Sequence, residues 1–199
     1  AWGVIDTRFH EHFNQLSEEV DSGEQRQRQL TALGKVLSYI QKVSSPPHAV
    51  PVYMGRWWRL ALHDRFTRFP VDARRVEQAV ASSCHYLATP AESYQQILVE
   101  TANDTIAAVQ EQIFDFPTTW EAYWKIAGEA DDFGEYGRAG NSFGQRTSFR
   151  CGDQQRCLLL ENDPLYVDCA AERHIAAAIA TMRALVLLQG NWAPPLESP

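Results

Sequence analysis

The chain of 199 residues is long enough for one domain that buries roughly 70% of its unfolded surface and needs no metal or dense disulfide frame to fold. With 45% hydrophobic and 22% charged residues it is not a disordered chain, and a net charge of −7 disfavours a general nucleic-acid binder, which needs a positive surplus. No run of about 18 apolar residues occurs, so no membrane span is expected; the longest tract, from Ile175 to Leu188, is interrupted by Thr181, Met182 and Arg183.

In chain order, Asp6 or Thr7 caps a helix reaching about Val43, with Phe9, Phe13, Leu16 and Val20, then Leu30, Leu33, Leu37 and Ile40, at helical spacing. Asp21-Ser22-Gly23 and the polar run from Glu24 to Gln29 leave open whether this is one helix or two. Ser44-Ser45-Pro46-Pro47 ends it. A short helix is expected from Arg56 to Phe66, and another from near Asp72, its cap, to before Pro90. Ala91 to Phe114 follows, turning Ile97, Val99, Ile106, Val109 and Ile113 inward, then a Trp120–Ala127 helix capped by Thr119. A Gly-rich stretch from Gly134 to Gly144 leads into β character at Ser142 to Arg150 and Leu158 to Glu161. Asp163-Pro164 starts the last helix, which is expected to stop at Gly190. The expected fold is mainly α: a helical bundle in a single domain, residues 1–192, with a small disulfide-linked hairpin at 142–161 and a flexible tail at 193–199.

Four cysteines permit complete pairing. Cys151 and Cys157 flank a turn-like Gly-Asp-Gln-Gln-Arg, so folding the chain back brings their sulfurs together. Cys84–Cys169 is the expected second bond, with Cys157–Cys169 as the alternative. The spacings lack the CxxC pair usual in structural zinc sites. Disulfides imply an oxidising compartment, periplasmic or extracellular. Ala1 is the kind of small residue a signal peptidase leaves, although a trimmed end would look the same.

Three constellations bear on chemistry. His10-Glu11-His12 places its imidazoles two residues apart, on diverging directions of a helix, and reads as a solvated face, not a metal site. Arg56-Trp57-Trp58-Arg59, with Arg65, Arg68, Arg74 and Arg75, is the main basic and aromatic concentration, able to meet an anion; the bland reading puts the tryptophans in the core and the arginines on its rim, with Asp64 and Asp72 as partners. Glu129, with Asp132 or Glu135 as second group, follows a helix and precedes a hairpin, an arrangement similar to that of lysozyme-like glycosidases, whose motifs are otherwise absent. The glycines of the loop do not form a phosphate loop, because no Gly-Lys-Ser/Thr ends the run.

No stretch carries a specific catalytic or cofactor signature, and no cofactor or metal is expected. In outline alone the chain resembles minor pilus and secretion-apparatus subunits of bacteria, which implies a non-catalytic structural or interaction role with protein partners in a larger exported assembly. The contact surface expected for it is the Gly-rich loop, through Gly134, Tyr136, Gly137, Arg138, Asn141 and Phe143, together with the hairpin and the tail. A cell-wall or glycan hydrolase with an acidic catalytic site, and an anion or nucleic-acid binder using the Arg/Trp patch, are the alternatives.

Overall fold

The computed structural model describes residues 7–22, 26–50, 52, 63–83, 93–128 and 134–192. Among these are six α-helices and two small antiparallel hairpins, with the Cys151–Cys157 disulfide closing the second hairpin. The mainly helical fold with a disulfide-linked hairpin near the C-terminal third is therefore as expected.

Helices α1 (Thr7–Ser22) and α2 (Arg26–Val43) run antiparallel. On one continuous helix Phe13 and Tyr39 would stand about 39 Å apart. Their rings lie 6.2 Å apart, and Gln29 Nε2 donates to the Val20 carbonyl nine residues earlier. The chain thus reverses between Ser22 and Arg26, and α1 and α2 are two helices. Phe13, Leu16 and Val20 are buried as expected, but the buried stripe of α2 is Ala32, Leu33, Val36, Ile40 and Val43, which leaves Leu30 exposed.

Pro46 begins the short α3 (Pro46–Ala49), where a proline's missing N–H costs no bond. Of the expected Arg56–Phe66 helix, residues 56–62 lie outside the described residues; Phe66 opens a 3₁₀ turn, η1 (Phe66–Arg68). Helix α4 (Ala73–Ser82) is capped as expected, its Asp72 carboxylate accepting from Arg75 N at 3.0 Å. Ser93 caps α5 (Tyr94–Gln110) in the same way. Of its expected core positions Ile97 and Val109 are buried, while Val99 is exposed.

The expected Trp120–Ala127 helix is instead a single 3₁₀ turn, η2 (Trp120–Ala122), followed by β1 (Trp124–Lys125), which pairs with β2 (Glu135–Tyr136). The carbonyls of Ala122 and Tyr123, which a helix would give to the next turn, accept instead from Ala139 N and Gly137 N at 2.7 and 3.1 Å. Strand β3 (Thr147–Arg150) pairs with β4 (Arg156–Leu159), turning Phe149, Cys157 and Leu159 inward. Asp163 caps α6 (Pro164–Trp192), its carboxylate accepting from Leu165 N; the helix continues through Gly190 to Trp192.

Two cores result. An aliphatic one joins α1, α2, the first half of α5 and the last half of α6. An aromatic one gathers Phe66, Trp120, Tyr123, Trp124, Phe143, Phe149 and Tyr166 around the disulfide. Helices α5 and α6 serve both, cross-linked by Arg173–Asp104 and Arg183–Glu100 ion pairs at 2.8 and 2.7 Å. Among the described residues no helix is long and apolar enough to cross a membrane.

Candidate functional site

The segment from His63 to Pro70 is built around Asp64. Its carboxylate is 6% exposed and meets no cation within ion-pair range among the described residues. Instead one oxygen accepts from Phe66 N at 2.8 Å, the local turn that aspartate favours. The other accepts from Trp124 Nε1 at 3.0 Å and from the Tyr136 hydroxyl at 2.9 Å. Three donors replace the water that burial removes. Burial, and then the Asp64 charge, push the Tyr136 phenol well above its ordinary pKa, so it stays a donor. Asp64 thus serves the interior rather than neighbouring arginines, and Asp72 serves a helix cap.

The loop beyond β2 is fastened to this segment. Asn141 donates through Nδ2 to the His63 carbonyl at 3.1 Å and accepts at Oδ1 from Arg65 N at 2.8 Å. Phe143 is 2% exposed and packs against Phe66, Phe69, Trp124 and Tyr166. Gly137 sits so close to the η2 backbone that a Cβ there would lie 2.6 Å from the Ala122 oxygen. Gly134 bridges to Val52, and Arg138 donates to the Arg150 carbonyl at 3.4 Å. The loop residues expected to form a contact surface are therefore largely engaged in holding the loop itself.

A cleft of about 610 Å³ opens between this segment and the loop. Arg65, just before the η1 turn, and Arg68, at its end, both line it. Phe69 and Phe143 supply apolar surface, and Asn141, Glu161 and Asn162 complete the polar lining. Of the rest of the arginine-rich segment, Arg75 pairs with Asp168, Arg74 is exposed, and Arg56, Trp57, Trp58 and Arg59 lie outside the described residues.

Two histidines adjoin the aromatic core. Burial lowers the pKa of His174, whose Nδ1 is buried without a partner and whose ring lies 6.0 Å from Phe66. Burial and then Lys42 lower His48, against a smaller upward pull from Asp64. Tyr123 and Tyr166 share a hydroxyl–hydroxyl bond, and burial raises both phenols.

Of the acidic group, Glu129 and Asp132 lie outside the described residues, and Glu135 is an exposed β2 residue bonded to Lys125 at 2.6 Å. His10 lies 3.4 Å from Gln95 Nε2, and His12 stands edge-on to Tyr39. Among the described residues no three His, Cys, Asp or Glu side chains gather as a metal site. Cys169 carries a free thiol, raised in pKa by burial, which departs from the expected bonds to Cys84 or Cys157. Cys157 is taken by Cys151, and Cys84 lies outside the described residues.

Sequence reasoning missed Asp64 as a buried hub. The signal available was an aspartate two residues before a phenylalanine, but its partners Trp124 and Tyr136 stand sixty and seventy-two positions away. Comparison of the chain with family models, with curated proteins and with solved structures returns no match.

Proposed function

We propose that this chain is a non-catalytic interaction component of an exported assembly, docking on a protein partner through the side formed by the β3–β4 hairpin and the turn at 111–119. The observation that carries the reading is Phe114. Its side chain is 72% exposed and its φ is 43°, a conformation that costs a bulky L-residue about 1–2 kcal/mol. The turn around it is fixed by Ile113 N donating to the Thr118 carbonyl, Phe116 N to the Ile113 carbonyl, and Trp120 N to the Glu111 carbonyl, all within 3.1 Å. An aromatic ring pointed at solvent from a strained, pinned turn gains nothing for the core. It suits the anchor residue of a protein interface.

The neighbouring hairpin adds to this. A Cβ at Gly152 would lie 3.7 Å from Pro117 Cγ, so the hairpin turn abuts the Phe114 turn, and β4 leaves Leu158 exposed with Leu160 just beyond it. The Cys151–Cys157 bond supports an oxidising location. A photo-reactive phenylalanine analogue at position 114, in the full chain expressed in its native compartment, tests the proposal. A discrete adduct with one partner protein is expected, weakened by Leu158→Ser. Absence of any adduct, or one indifferent to Leu158→Ser, defeats the reading.

A further inference from the structure

We infer that the cleft between η1 and the 141–144 loop binds a small hydroxylated molecule carrying one anionic group, carboxylate or phosphate, of the size of an acidic monosaccharide. This site is separate from the docking side proposed above and does not depend on it.

The first ground is that the polar tips around the cleft are unspent. The guanidinium groups of Arg65 and Arg68, the Glu161 carboxylate and the Asn162 side-chain amide make no hydrogen bond or ion pair with other described residues. Opposite charges line the same cleft, yet neither arginine reaches Glu161, whereas Arg75, Arg173 and Arg183 each find an acid. The second ground is construction. Arg65 immediately precedes the 3₁₀ turn that Arg68 closes, and the backbone of Arg65 is fixed by its N–H to Asn141 Oδ1. Asn162 is held in the left-handed region, φ 54°, while its N–H donates to the Gly144 carbonyl at 3.1 Å. Gly144 itself, at φ 80°, leaves room for the Phe69 ring, which a Cβ would meet at 2.8 Å.

These pieces specify the ligand class. Two guanidinium groups lining one cleft can meet the oxygens of a carboxylate or phosphate. Glu161 accepts only, and Asn162 both donates and accepts, so that wall matches hydroxyl groups. Phe69 and Pro70 offer apolar surface for the C–H face of a ring, with the buried Phe143 beneath them. A volume of about 610 Å³ lies in the range of small-molecule sites.

The test is a titration of the full chain with inorganic phosphate, with glucuronate and with glucose, followed through the backbone amide resonances of Arg65, Arg68, Asn141 and Asn162. Saturable shifts are expected with at least one anion at millimolar concentration, weakening as salt rises. Phosphate alone would assign a phosphoryl group and glucuronate alone a carboxylate; either supports the site. The R65Q/R68Q double variant, whose changed side chains are exposed, should keep its melting temperature and bind the anion about tenfold or more weakly. No shift with either anion, equal binding of glucose, or unchanged affinity in the double variant would overturn the inference.

Discussion

A carboxylate taken from water must be compensated, and at Asp64 the compensation comes from an amide, an indole and a phenol rather than from a cation. Removing it strands the Trp124 donor in the interior and takes from the Tyr136 hydroxyl its bond to Asp64, at about 1–3 kcal/mol each. Asp64→Ala should therefore lower unfolding free energy by about 2–4 kcal/mol in urea. A Tyr136→Phe background should shrink that loss, since its bond to Asp64 is already gone. Equal losses in both backgrounds would show that the Tyr136 bond contributes nothing. At this scale little was legible. Asp64 in sequence looks like a counter-ion for Arg65 and Arg68, because distant partners leave no local mark. Phe143, in a glycine-flanked loop, looks like a contact residue until its neighbours across the fold are known.

Helices were the more readable elements, since their signals are local. Asp72, Ser93 and Asp163 cap helices through bonds three or fewer residues long, and Pro46 and Pro164 open theirs. Strand β1 was not readable, because the backbone donors that draw it out of a helix come from Gly137 and Ala139 on the returning chain. The hairpin lies between these cases, as Cys151 and Cys157 flank their own turn and sit six positions apart. A cross-link of that span restricts the unfolded chain by about 2 kcal/mol. The Cys151→Ala/Cys157→Ala variant should lose about that much, read from the urea midpoint. Alkylation of the native, unreduced protein should leave both cysteines unmodified. Labelling at either in native protein would contradict the bond and the oxidising location with it.

At the scale of the whole molecule, the two cores meet along α5 and α6, and His174 stands on α6 beside the aromatic one. An unfolded imidazole takes up its proton near pH 6.5, whereas folded His174 holds a pKa below that. Between the folded and unfolded values the unfolded chain binds more protons, so stability is complete above about pH 6.5 and falls as the pH drops through the folded value. Glu100, lowered by its bond to Arg183, adds a similar loss only in the carboxylate range further down. Unfolding free energy should thus be smaller at pH 5.5 than at pH 7.5, with His174→Gln flattening the difference. A His174→Gln profile as steep as the parent's would remove His174 as a cause.

Among the described residues, the division into two cores also gathers the placed indoles at one end. Trp120 and Trp124 both lie in the aromatic core, ringed by Phe66, Tyr123, Phe143 and Tyr166, whereas α1 and α2 pack through Phe9, Phe13, Tyr39, leucine, valine and isoleucine. Near-ultraviolet ellipticity from these immobilised indoles reports on the hairpin end, while far-ultraviolet ellipticity is weighted toward the helices. Because α6, about 43 Å long at 1.5 Å per residue, runs through both regions, coincidence of the two melting curves becomes a direct gauge of how tightly one end of the fold is bound to the other.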